Sequence, residues 1–220
     1  MTHLEQELHE LRKELLNMFL VVNNQLLKSE RALLDFDKDI AAEITNAEKR
    51  INSLELKIDR DCENILALYS PVAVDLRFVL SVYKINHELE RIADIADGIA
   101  NYVNKIDNPI SIKAIEDTRI KEMFNQAKKM LENVIDAFEN DDTKTARKVF
   151  KQDELLNTIN SNGSNAIISN YSEKDAKMLF YLLSCVRKLE RAGDLTKNIA
   201  EELIFSIESK VIKHRKKKKL

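Results

Sequence analysis

The chain has 220 residues, three glycines and two prolines, and one third of its residues are charged, a composition of long helices rather than strands and tight turns. Its net charge of −2 conceals an acidic body and a basic tail: Lys213, Arg215, Lys216, Lys217, Lys218 and Lys219 supply six of the 35 basic residues without an acid among them. An acidic body of this kind excludes nucleic-acid binding across the folded surface, and no apolar run approaches the roughly 18 residues a spanning helix needs. The amphipathic start MTHLEQELHELRKE is unlike a secretory leader, so a soluble protein is expected. Cys62 and Cys185 each stand alone in an apolar run, which suits buried free thiols in a reducing compartment.

In chain order, Leu4, Leu8, Leu11, Leu15, Met18, Val22, Leu26, Leu33 and Leu34 keep a spacing of three or four, and this predicts one amphipathic helix. Asp35-Phe36-Asp37 allows a turn. A second helix follows from about Asp39 to Tyr69, with Ile40, Ile44, Ile51, Leu54, Ile58, Ile65 and Leu68 as its apolar side. Ser70-Pro71 reads as an N-cap and first helical position opening a third helix to about Lys105. Asp107-Asn108-Pro109-Ile110-Ser111 marks the midpoint. A fourth helix is expected over Ile112 to Asn140, and a turn at Asp141-Asp142-Thr143 leads into a fifth. That fifth helix carries Asn160-Ser161-Asn162-Gly163-Ser164-Asn165, poor helix formers at up to ~1 kcal/mol each, and predicts local irregularity around Asn162. Ser172-Glu173-Lys174-Asp175 resembles a capping box for a sixth helix reaching about Lys210.

The chain also repeats itself. Leu89-Glu90-Arg91-Ile92-Ala93-Asp94 returns one hundred residues later as Leu189-Glu190-Arg191-Ala192-Gly193-Asp194, and Asp75, Ile99 and Ala100 recur at the same offset. Long helices joined by short turns lie antiparallel to their neighbours. The expected fold is therefore all-α, six long helices forming two tandem antiparallel three-helix bundles by internal duplication. The first bundle spans residues 1–106 and the second 110–210, with 211–220 a basic tail expected to be disordered.

Glu90, Asp94 and Asp97 share one face of the third helix, and His87 lies one turn earlier on the same side. Glu48, Asn52, Glu55 and Asp59 form a matching stripe on the second helix. Stacked acids repel one another, so a nearby cation would relieve them. If the stripes face each other, Glu55, Asp59, Glu90 and Asp94 offer a cluster of hard oxygens suited to Mg, Mn, Ca or iron. A solvated acidic face is the plain alternative, and His87 alone reads as a surface histidine. No histidine has a glutamate three positions before it, which argues against di-iron oxidase chemistry. Neither a Gly-rich phosphate loop nor a nucleophile elbow is present, so the chain is not expected to be an enzyme.

The paired Leu-Glu-Arg-x-(Gly/Ala)-Asp motifs, Asp75-Leu76-Arg77-Phe78 and the stripe from Glu48 to Asp59 are similar to the signature of the PhoU family of phosphate-signalling accessory proteins. The similarity runs over nearly all of residues 4–208. It implies two three-helix bundles, each able to hold a metal on its acidic motif, as a multinuclear cluster or a single ion, with iron favoured and Zn, Mn or Mg possible. It further implies a cytoplasmic protein, often a homodimer, working at the inner membrane face. There it would damp phosphate uptake and starvation signalling through the ATPase subunit of a phosphate transporter and a sensor histidine kinase. Companionship with a sodium-coupled phosphate carrier, or a metal-free helical scaffold, remain alternatives.

Two departures stand out. Ala93 replaces the family's usual glycine. In the second half Asp153 mirrors Glu48, but Asn160 and Ser164 stand where Glu55 and Asp59 have their counterparts. Asp153, Glu190 and Asp194 then remain as the second set, and the first bundle is expected to hold metal better. The tail, outside the resemblance, could attract anionic lipid at ~1 kcal/mol per basic residue near the surface.

Overall fold

The structure, a computed structural model, describes residues 2–168, 171 and 176–209, with the backbone alone over 163–168. The expected capping sequence at 172–175 and the basic tail lie outside the described residues. Seven helices follow in order: α1 (His3–Leu34), α2 (Lys38–Tyr69), α3 (Ala73–Lys105), α4 (Ile112–Thr118), α5 (Ile120–Glu139), α6 (Thr143–Ile168) and α7 (Ala176–Glu208). No described helix is long and apolar enough to cross a membrane.

Local chemistry sets most of these boundaries. Thr2 and Glu5 close a reciprocal capping box at the start of α1. Asp37 accepts from the backbone N–H groups of Asp39 and Ile40 to start α2. Between them Phe36 takes φ 55°, which reverses the chain within three residues.

Three expectations need correction. Ser70 is not the N-cap of α3: at φ 46° it is the left-handed C-cap of α2. Pro71 follows it as a residue that cannot continue that helix, and α3 begins at Ala73 behind Val72. Second, the expected fourth helix is two, because Arg119 at φ 53° separates α4 from α5. The Thr118 hydroxyl donates to the carbonyls of Ala114 and Ile115 just before the break, and the Arg119 guanidinium holds the Glu122 carboxylate just after it. Third, α6 runs as an unbroken helix through Asn162 to Ile168. Leu156 and Ile159, both buried, anchor it, and tertiary packing outweighs the weak propensity of the polar stretch.

Helices α1, α2 and α3 pack on one another, as do α5, α6 and α7, so the duplicated plan is present in the fold. The two halves also share contact surfaces, α3 against α7 and α1 against α5, and the buried residues form one continuous cluster. Phe19 of α1 meets Phe138 of α5 with ring centroids 5.4 Å apart, while Arg12 lies over Phe138 and pairs with Asp141 at 3.0 Å. Tyr102 of α3 meets Tyr181 of α7 at 5.1 Å, and Lys84 pairs with Glu202 at 3.2 Å. Antiparallel α2 and α3, joined by a short turn, carry the two acidic stripes along one seam.

Candidate metal centre

Along that seam two of the four carboxylates drawn from spacing, Glu55 and Glu90, come together with an imidazole. Glu55 of α2 with His87 and Glu90 of α3 present one ligand atom each, all within 4.8 Å of one another. His87 Nδ1 lies 3.5 Å from Glu55 Oε1, with the imidazole 64% exposed and the carboxylate 18%. His87 is thus the surface histidine its spacing suggested, but it also completes the group. Two carboxylates and an imidazole suit borderline divalent ions such as Fe, Mn or Zn better than Mg or Ca.

Asp59 and Asp94 flank the trio on opposite sides. Asp59 accepts from Asn86 Nδ2 at 2.9 Å, and the same amide donates to the Glu55 carbonyl at 2.9 Å. Asn86 is fully buried, and Asp59 lines a cavity of about 300 Å³ together with His87 of the trio and with Tyr83, Lys84, Glu88, Asn198 and Glu202, where α2 and α3 meet α7. Asp94 lies on the other side with Glu48, Asn52, Asp97 and Gln25 around a small polar crevice. In that crevice Asn101 Nδ2 donates to Asp97 Oδ2 at 2.7 Å, whereas Asp97 Oδ1 and Gln25 Oε1 are buried without a partner. Buried acceptor oxygens carry a desolvation cost unless something positive or hydrogen-bearing satisfies them. The seam therefore fits a cation on two grounds: its donor set and its orphaned oxygens.

Glu90 reports the same electrostatics. Burial above all, then the charges of Asp94 and Glu55, raise its pKa above the ordinary carboxylate value, against the opposing pull of His87 and Arg91. The folded chain thus holds this proton more tightly than the unfolded chain does. As pH rises from the ordinary glutamate value through the raised one, that stabilisation is lost. A metal would take the proton's place, so the rise in melting temperature on adding Mn²⁺ is expected to grow with pH across this window. Glu90→Gln, followed in the same titration, should show a weaker dependence.

The second half looks different. Asp153 on α6 is buried, 5% exposed, and Glu190 and Asp194 stand near it on α7. Burial, then Asp194 and Asp153, raise the pKa of Glu190, again in the direction of crowded negative charge. Here, however, Lys197 Nζ donates to Asp153 Oδ2 at 2.9 Å and to Asp194 Oδ1. Asn160 is half-buried and the side chain of Ser164 lies outside the described residues. Spacing named His87 but undervalued it because it stood alone, and it missed three others: Gln25, a polar break in the apolar stripe of α1; Asn86; and Lys197. The repeat carried a signal for the last, since the residue one hundred positions before Lys197 is Asp97.

Comparison with known proteins agrees with the duplicated helical fold. The PhoU domain model matches residues 15–103 and again 120–203, one match in each half. The chain belongs to the PhoU family. It is 29% identical over 215 residues to the phosphate-specific transport system accessory protein PhoU homolog of Pseudomonas aeruginosa, covering 94% of this chain and 86% of that protein. To the protein of the same description in Zymomonas mobilis it is 30% identical over 213 residues, covering 96% and 89%. The crystal structure of the phosphate transport system regulatory protein PhoU from Streptococcus pneumoniae superposes with a TM-score of 0.85 at 28% identity, covering 96% of this chain and 99% of that one. As a PhoU family member the chain has the all-α, duplicated architecture expected of it.

Cys62 and Cys185 are both buried and free. Burial pushes each thiol up to about 12, helped at Cys62 by the charges of Asp59, Asp61 and Glu63. Neither is therefore expected to react with a thiol reagent such as Ellman's at neutral pH in the folded chain. Both should react at once in guanidinium; labelling of the folded chain at the unfolded rate would contradict their burial.

Proposed function

We propose that this chain is a non-enzymatic accessory regulator of phosphate transport, with a divalent-metal site in its first half. The observation that carries the regulatory reading is the PhoU domain match in both halves, together with relatives described as phosphate transport accessory proteins over 86% or more of their length. The metal reading rests on the trio Glu55, His87 and Glu90. Glu48, Asp59, Asp94 and Asp97 flank it and would supply further oxygens or hydrogen-bond its ligands. Iron is the metal favoured, with Mn and Zn close behind on the same donors. The chain's own residues would hold the ion and hold the seam of α2 and α3 together; no group on the seam is placed to attack a substrate.

On this reading the chain works in the cytoplasm as a homodimer, at the inner membrane face. Its partners are the transporter's ATPase subunit and a sensor histidine kinase, and the basic tail meets anionic lipid. Residues 1–106 and 110–210 are the two duplicated units, and 211–220 the tail. Two experiments test the proposal. Metal content of protein purified without chelator is expected to fall on joint Glu90→Ala and Asp94→Ala substitution, and unchanged content removes the metal site. Cells lacking the gene are expected to take up phosphate faster in rich medium, with the wild-type gene restoring the lower rate. Equal uptake with and without the gene removes the regulatory reading.

A further inference from the structure

The second acidic cluster does not fit a metal as the first does. We infer that the Lys197 ammonium occupies the cation position of the second half, so that this cluster carries its own counter-charge and only the first half answers to metal. The inference deepens the reading of the first half's cluster as a cation site. It stands on a comparison of the two halves helix by helix, α6 with α2 and α7 with α3.

Four positions carry that comparison. Asp153, with Asn157 four residues on, corresponds to Glu48 and Asn52. Asp194 corresponds to Asp94. Lys197 corresponds to Asp97, so one acid in the first half is a base in the second. In the first half, Asp97 adds a negative charge to the seam and leaves Oδ1 buried without a partner. In the second, the Lys197 side chain, 27% exposed, reaches across from α7 to Asp153 on α6 and also holds Asp194 on its own helix. Asn157 Nδ2 also donates to Asp153 Oδ2 at 3.1 Å, while Asp153 Oδ1 is buried without a partner, as Asp97 Oδ1 is in the first half.

Charge makes the same point. Three carboxylates with one ammonium among them leave far less field for an added dication than the six carboxylates that stand along the first seam. A dication entering the second site would have to displace a tethered ammonium whose local concentration is very high. Burial alone would lower the Lys197 pKa, but its hydrogen bonds to Asp194 and Asp153 outweigh that and hold it above the ordinary value. Its charge is present throughout the physiological range.

Mn²⁺ binding to the full-length, metal-stripped chain tests this by calorimetry, with electron paramagnetic resonance as a second readout. The parent carries Glu55→Gln and Glu90→Gln to close the first site. With Lys197 intact it is expected to bind no Mn²⁺ in the second half. Adding Lys197→Met, which keeps the stem and removes the charge, should raise Mn²⁺ affinity about 10-fold or more, and Asp194→Asn should remove the gain. Lys197→Arg keeps the charge and should behave as the parent does, which separates charge from folding; circular dichroism checks that each variant is helical. Mn²⁺ binding by the parent that Asp194→Asn abolishes would overturn the inference, as would a folded Lys197→Met that binds no better than the parent. Loss of Mn²⁺ from the wild type on Glu55→Gln and Glu90→Gln judges the first-half reading separately, and the Lys197→Met comparison decides this one either way.

Discussion

Phe19→Ala is expected to destabilise the chain by about 3–5 kcal/mol, the range for truncating a buried aromatic side chain. Phe19 is fully buried on α1, and its ring meets Phe138 of α5 in the other half. The truncation would open a cavity where the halves join and would strip Phe138 of its aromatic neighbour, a contact worth up to ~1.5 kcal/mol beyond the area it buries. For a chain of this length the melting temperature should fall by on the order of 10 °C. Leu20→Ala, one residue along and 53% exposed, should stay within about 0.5 kcal/mol. Because the core is one continuous cluster through both halves, the loss should appear as one cooperative transition moved to lower temperature. Two calorimetric transitions, with only one of them moved, would show instead that the halves unfold separately.

Glu30→Ala should have the next largest effect. Lys128 of α5 pairs with Glu30 of α1 at 2.5 Å, and both side chains are mostly buried, at 17% and 14% exposed. Removing one partner of a fully buried pair costs about 3–5 kcal/mol, because the other is left charged without compensation. Some solvent still reaches this pair, so roughly 2 kcal/mol is expected. Glu30→Leu combined with Lys128→Met should recover most of that loss, since two apolar side chains of similar volume need no partner. The surface pair Lys13–Glu10, 58% and 63% exposed, serves as the comparison, and breaking it should cost less than about 0.5 kcal/mol. Denaturant titrations of the wild type, Glu30→Ala and the double variant measure the loss and its recovery. If the double variant is as unstable as Glu30→Ala, the cost does not come from the orphaned ammonium.

Much of this chain was legible before any coordinates. The three-and-four spacing from Leu4 to Leu34 marks α1 within a residue or two of its observed ends, and Asp35 to Asp37 marks the turn after it. The duplication at Glu90–Asp94 and Glu190–Asp194 corresponds to the two sets of packed helices. These are local facts: a helical period, a cap and a repeated motif are written in neighbouring residues. Acidic stripes on α2 and α3 were legible for the same reason, because residues three or four apart must share a face.

What spacing could not supply was the register of one helix against another. Along the seam it is core packing that sets His87 beside Glu55 and Glu90, while the buried amide of Asn86 holds Asp59 at 2.9 Å. A shift of one turn would exchange these neighbours without altering either stripe. The break at Arg119 and the survival of α6 through its polar stretch belong to the same class, decided by Thr118 and by the packing of Leu156 and Ile159. The sequence by itself determined an all-helical, duplicated chain of the PhoU family with acids stacked on matching faces. Only the tertiary structure decided which of those acids meet an imidazole and which meet Lys197, because a contact between helices depends on how their cores interlock.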